Sequence, residues 1–239
     1  STFDEATLTG ATLSEATLTD STAIGTNFAS VDATGTTITG VTCSEADFTG
    51  SRLTDATLSE STLDRALLAE ADLSGLDVAT TSLVEATLTD ADATGVTIES
   101  TDLTRAALEG VTLDGARLSA VTLRETTLTA ARVADARIVD SDLAHTTAQH
   151  VVGTGTGFTG SRLQDADFTD ATLKGGCFND TDCSTATFAA AVLTDSTFVG
   201  ATLIGAAFTG ALLGGGDATG ADLSKADLDE GTAEGLNLS

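Results

Sequence analysis

Few side chains in this chain have the types that do chemistry, and their spacing does not gather them. There are two histidines, His145 and His150, and three cysteines, Cys43, Cys177 and Cys183. Neither histidine stands at a metal-ligand spacing from a cysteine or from the other. Ser141 and Asp142 lie close before His145, as a nucleophilic triad would want. Adjacent residues of extended chain point to opposite faces, however, so Ser141 and Asp142 cannot converge. Acid pairs such as Asp90 and Asp92, Asp140 and Asp142, Asp165 and Asp167, and Asp180 and Asp182 offer the oxygens that a hard cation takes. With 36 acids in the chain, a solvated surface is the simpler expectation for them. No glycine-rich phosphate loop is present, because the glycines fall mostly where tight corners need them. The residues therefore predict no catalytic group, no metal site, no cofactor and no enzyme.

What positions every residue is a strict period of five. Positions 3, 8, 13 and so on to 238 are apolar at 47 of 48 places, with Gly153 the sole exception. All nine phenylalanines and 25 of the leucines sit in this phase. Two residues before each centre stands a small residue, except at Leu76 and Leu236. In extended backbone residues two apart share a face, so the small and the large residue both point inward. Five residues leave room for about three of strand and two of corner. The i, i+3, i+4 spacing of an amphipathic helix is absent. Unbroken self-similarity of this kind marks a solenoid of very short strands.

The triplets Ala46-Asp47-Phe48, Ala71-Asp72-Leu73, Ala166-Asp167-Phe168, Ala221-Asp222-Leu223 and Ala226-Asp227-Leu228 carry a resemblance to the pentapeptide repeat family. That resemblance covers the whole chain. It implies an all-β, right-handed quadrilateral parallel β-helix with four repeats per coil, hence about 12 uninterrupted coils without internal loops, and a single domain over 1–239. One departure is that 20 of the 48 repeats carry Thr where the family prefers Asp or Asn. Four repeats per coil would put Phe158, Phe178 and Phe198 in one stack and Phe168, Phe188 and Phe208 in another on the opposite wall, with Phe28 over Phe48, and would leave no room for a channel. Residues 145 to 157 are the least regular stretch and read either as a kink or bulge or as a thin coil, with Val151 and Val152 filling part of the volume lost at Ala148 and Gly153.

Composition bounds the rest. No 18-residue apolar run and no signal peptide are present, which predicts a soluble chain with no membrane contact. A cytoplasmic location is expected, with a surface assembly as the alternative. The chain starts at Ser1 rather than Met, as after processing or excision from something longer. Cys43 and Cys183 occupy core phases and Cys177 an outer one, so disulfides are not expected and inert thiols are.

Charge is the main functional clue. The formal net charge is −26, with 36 acids against two lysines and eight arginines. Seventeen acids hold the last place of the repeat, twelve the place before the centre and seven the place after it, all outward. Over a rod of roughly 57 Å this is about one net charge per 2.2 Å, against about 1.7 Å for duplex DNA. No direct nucleic-acid binding is expected. A protein that binds DNA is the expected partner, with Asp165, Asp167, Asp170, Asp180, Asp182 and Asp195 as candidate contacts. The family resemblance implies a concrete case, because quinolone-resistance and toxin-immunity members resemble DNA and bind gyrase. Those members pair through a C-terminal module and some carry projecting loops, neither of which is seen here. The alternative is a structural spacer or fibre segment from a halophile, whose acidity serves solubility in strong salt, where the Debye length falls to about 3 Å or less.

Three smaller expectations follow from a 20-residue coil. Glu45, Arg65, Glu85, Arg105, Glu125, His145 and Asp165 would form an alternating charge ladder at one corner, whereas Arg117 and Arg137 would stack as like charges. Thr17, Thr19, Thr37, Thr39, Thr57 and Ser59 would form a flat hydroxyl patch of three rungs, short for an ice-binding surface. The coils holding Phe3 and Leu236 to Leu238 would expose apolar groups and backbone edges, which invites end-to-end association with a second copy or an assembly neighbour.

Overall fold

A computed structural model describes residues 1–239 as one continuous β-solenoid without a helix. Every pairing is parallel and offset by 20 residues, from Thr2 with Thr22 to Asp217 with Asn237. At 20 per coil, 239 residues make about 12 coils. We number the four walls by the first coil: residues 1–5, 6–10, 11–15 and 16–20, each with its successors every 20 residues. Successive coils are tied by three bonds at most repeats, as where the Phe3 amide donates to the Thr22 carbonyl (2.7 Å), the Glu5 amide to the Ile24 carbonyl (2.9 Å) and the Thr22 amide to the Ser1 carbonyl (3.0 Å).

Three-residue strands form on one wall at a time. Strands β1 (Thr17–Thr19), β2 (Thr37–Thr39), β3 (Thr57–Ser59), β4 (Asp77–Ala79), β5 (Thr97–Glu99), β6 (Arg117–Ser119) and β7 (Arg137–Val139) make a seven-stranded sheet on the fourth wall. Strands β8 (Val152–Thr154) and β9 (Thr172–Lys174) pair on the third. Elsewhere each wall is a single bridging residue flanked by turns.

The corners explain this division. Every fifth residue from Glu5 to Gly235 has a positive φ, between 46° and 76°. At most corners the amide that follows donates back three residues, as from Ala6 to the Phe3 carbonyl at 2.9 Å, which closes a type II turn. After β2, β4, β6 and β7 the following amide instead donates to a hydroxyl one coil further on: Val41 to Ser61 Oγ, Thr81 to Thr101 Oγ1, Val121 to Ser141 Oγ and Ser141 to Ser161 Oγ, at 3.1 to 3.4 Å. Those hydroxyls sit at the small inward position. A column of Ser and Thr thus satisfies buried amides that the relaxed corner leaves without a turn partner.

Glycine suits a left-handed corner, yet 29 of these corners carry another residue, 17 of them acids. Asp and Asn tolerate this region better than most, and each such residue stores roughly 1 kcal/mol that the coil-to-coil bonding must outweigh.

The core is a single cluster of 63 buried residues, filled by the predicted phase. Phe158, Phe178 and Phe198 stack at 5.0 and 4.8 Å between centroids, and Phe168, Phe188 and Phe208 at 5.4 and 5.0 Å. The two stacks meet edge to face across the shaft, as for Phe178 and Phe188 at 5.7 Å. Phe28 stacks on Phe48 at 4.7 Å. Where leucines replace rings, between Leu53 and Leu123, the shaft keeps an apolar cavity of about 40 Å³, a local gap in the packing and not a channel.

The irregular stretch at 145–157 keeps its register, and the strand ladder changes wall there. Val151 is buried, but Val152 is 51% exposed and fills no volume, contrary to expectation. Gly153 is there for space. A Cβ would strike Thr156 Oγ1 and come within 2.7 Å of Val133 Cγ2. At the two ends Phe3, Leu228 and Leu238 are exposed. No helix is long and apolar enough to cross a membrane.

Candidate interaction surface

The polar surface is built by two local devices. In the first, an Asp before the centre accepts hydrogen bonds from the amide and hydroxyl of the residue two further on. Asp167 does so from the Thr169 amide (2.9 Å) and Oγ1 (2.6 Å), and Asp182 from the Ser184 amide (3.1 Å) and Oγ (2.6 Å). At Asp32, Asp217 and Asp222 the hydroxyl of Thr34, Thr219 or Ser224, and then its amide, hold the carboxyl below its ordinary range. At Asp72 and Asp167 partial burial pushes the other way, and the bonds from Ser74 and Thr169 outweigh it.

In the second device, an acid at a corner leans along the rod axis over the corner of the next coil. A glycine often stands there: a Cβ on Gly40, Gly155 or Gly200 would come within 2.9 Å of the Oδ1 of Asp20, Asp135 or Asp180. Elsewhere it is an arginine. Arg65 Nη2 donates to Glu45 Oε1 at 2.7 Å and Arg105 Nη2 to Glu85 Oε1 at 2.8 Å, whereas His145 Nδ1 lies 3.6 Å from Asp165 Oδ2. The ladder is therefore a series of separate pairs. Arg65 does not reach up to Glu85, nor Arg105 to Glu125, because each side chain folds toward the coil beneath it. Asp165 accepts a further bond from Thr185 Oγ1 at 2.6 Å.

The candidate contacts go round the rod instead of sharing one face. Asp165, Asp167 and Asp170 border the second wall within one coil, Asp180 ends the fourth wall of that coil and Asp182 begins the next coil on the first wall, and Asp195 is on the far corner between the third and fourth walls. His150 Nδ1 lies 3.8 Å from Asp170 Oδ2, and Gln149 and Gln164 donate to Asp167 and Asp182 at 2.6 Å. Arg117 and Arg137 are register neighbours in β6 and β7. The hydroxyl patch exists as expected, with Thr17, Thr37 and Thr57 in register and Thr39 Oγ1 3.0 Å from Ser59 Oγ.

Ser141 is buried, its Oγ donating to the Val139 carbonyl at 2.8 Å, while Asp142 faces outward to Arg124 at 3.2 Å. No three His, Cys, Asp or Glu side chains converge on a point that would hold a metal. Burial pushes the Cys43 and Cys183 thiols up to about 12. Cys177 is half-buried. Burial would raise its thiol too, but hydrogen bonds with Thr159, Asn179 and Thr197 and the charge of Arg137 bring it below the ordinary value.

The pattern for pentapeptide repeats matches eight times, over 1–40, 43–83, 63–99, 71–110, 101–138, 136–175, 177–215 and 206–239. The chain belongs to the pentapeptide repeat family. Among solved structures it is similar to HetL, a pentapeptide repeat protein involved in heterocyst differentiation regulation from the cyanobacterium Nostoc sp. strain PCC 7120. The identity is 25%, over 89% of each chain, with a TM-score of 0.43. It is similar also to trypsin-treated QnrB1, a plasmid-mediated fluoroquinolone resistance protein, at 19% identity over 77% of this chain and 89% of that one, with a TM-score of 0.45. No curated protein matches the sequence. Sequence reading missed the positive φ at acidic corners and the buried Ser/Thr column. Regular Ser and Thr at positions 61, 81, 101, 141 and 161 are the signal that would have revealed the column.

Proposed function

We propose that this protein is a non-enzymatic interaction protein, a rigid anionic rod that occupies the DNA-binding groove of another protein, a topoisomerase of the gyrase type being the concrete candidate. The observation that carries the reading is the second wall. Along all its coils it bears nine acids, among them Asp47, Glu70, Asp90, Asp167 and Asp170, and neither Lys nor Arg. Nine charges of one sign along roughly 57 Å, about one per 6 Å on this face, add to the field of the whole rod and attract a cationic groove by long-range field and by contact. Asp167, pinned by Thr169 and Gln149, presents its charge without losing side-chain freedom on binding.

A supercoiling assay with gyrase in matched salt tests this. The rod is expected to inhibit the enzyme or protect it from its DNA-directed poisons, and reversing Asp90, Asp167 and Asp170 to Lys weakens the effect. Absence of inhibition, protection and binding overturns the reading. A second reading, a spacer whose acidity is salt adaptation, draws on the other three walls, where eleven, nine and seven acids stand beside five, three and two cations without focus on one face. Under that reading stability rises with molar salt and gyrase is untouched.

A further inference from the structure

One stretch of the rod departs from the acidic rule. On the third wall an outward column runs Arg132, Val152, Thr172, Val192, Leu212 and Thr232, each in parallel register with the next. Val152 is 51% and Leu212 39% exposed. The four coils of this wall at 151–155, 171–175, 191–195 and 211–215 hold one cation, Lys174, and one acid, Asp195. The same wall from residue 11 to 135 carries seven acids and two arginines. The extended strands also change to this wall here, as β8 and β9, and parallel bridges continue the column from Thr172 through Val192 to Leu212. Two rods of charge −26 repel each other along most of their length, and this neutral apolar section is where they can touch.

We infer that it is a self-docking face, against which a second copy of the chain lies antiparallel about a two-fold axis halfway between the coils of Thr172 and Val192. Such an axis, lying in the plane of contact and across the rod, reverses coil order while keeping position across the wall. Val152 of one copy then meets Leu212 of the other, and Thr172 meets Val192. Lys174 arrives at the coil of Asp195, and Arg132 at the coil of Glu234. Both charge pairs are of opposite sign and both occur twice, the self-complementarity that an isologous interface requires. Six coils of one wall, about 29 Å, are engaged. With about 10 Å of three-residue strand across the wall this gives roughly 290 Å² per partner, well short of the roughly 800 Å² of a stable complex, so the dimer is weak. It strengthens as salt screens the repulsion between the remaining lengths. The second wall stays free, so the inference stands apart from the proposed groove binding.

Sedimentation equilibrium of the full chain, at protein concentrations rising to the millimolar range and at several salt concentrations, tests it. The expected result is a monomer–dimer equilibrium that shifts toward dimer as salt rises. Leu212→Asp abolishes it. Lys174→Asp alone and Asp195→Lys alone each weaken it about tenfold or more, because each sets like charges face to face. The double variant Lys174→Asp/Asp195→Lys restores it. All three positions are exposed, so the fold is left intact. A monomer under every condition overturns the inference, as does a dimer indifferent to Leu212→Asp, or a double variant no better than the singles.

Discussion

The shaft from Leu53 to Leu123 and the shaft from Phe158 to Phe208 share one backbone frame and fill it differently. In the first, aliphatic side chains close on the axis from all four walls and leave a cavity of about 40 Å³. In the second, rings on the second and fourth walls cross the axis edge to face, with Leu163, Leu173, Cys183, Leu193 and Leu203 on the other two. Coil dimensions are set by the backbone ladder, which cannot contract around a smaller filling. Four leucines therefore leave a gap, whereas the rings from Phe158 to Phe188 do not, and a second apolar cavity of about 60 Å³ opens only where Phe198 and Phe208 give way to the smaller side chains of the last coils. The outer surfaces differ in the same sense. The leucine section holds the close Glu45–Arg65-type pairing at Glu85–Arg105, and the phenylalanine section carries the near-neutral third wall.

Truncating a ring should separate the two regions most sharply. Phe178 touches four other rings, so Phe178→Ala is expected to cost about 3–5 kcal/mol in chemical denaturation. A loss no larger than that of an exposed substitution would show that the rings are loosely held. Next comes the amide-satisfying column. Ser141→Ala leaves the buried Val121 amide without its acceptor and should cost about 1–3 kcal/mol, whereas Ser141→Thr retains most of the stability. Hydrogen exchange at Val121 reads the effect locally.

Filling the leucine shaft is a gentler probe. Leu88→Phe places a ring beside the cavity and should change stability by less than about 1.5 kcal/mol in either direction, while Leu163→Phe, introduced among rings, should destabilise by about 1–3 kcal/mol. Equal costs at the two sites would refute the difference in packing. Removing an exposed pair by Arg105→Ala is expected to cost about 0.2–1 kcal/mol, and less in strong salt.

The smallest effect is on acid stability. Asp32, Asp72, Asp167, Asp217 and Asp222 have folded values below the ordinary carboxyl value. Their contribution is therefore complete above about pH 4 and is lost as pH falls through the folded values. Discharge of the other carboxylates relieves repulsion over the same range and opposes the loss. Asp217→Asn and Asp222→Asn should accordingly flatten the acid limb of a stability–pH curve, and an unchanged limb would refute the linkage.

Inward and outward faces, short strands and corners were legible in the residues, because side chains in extended backbone alternate by covalent geometry alone, whereas the two facing Phe stacks followed only from the four repeats per coil that the family resemblance implied. Gly153 was legible as a gap and Val152 was misjudged, since which of two neighbouring valines turns inward depends on the phase of the wall they share. The candidate acids were identified one by one, but their division among walls awaited the coil.

What the sequence determined by itself is the alternation of small and large inward residues and the sign and amount of surface charge. Tertiary structure alone decided the 20-residue register as an observation, the wall each acid occupies, the direction in which Arg65 and Arg105 reach, and the corners that use a hydroxyl in place of a turn bond. The physical reason is that alternation is a property of one residue and its neighbours, whereas each of the others joins groups 18 to 23 residues apart that meet only when a coil closes on the one before it.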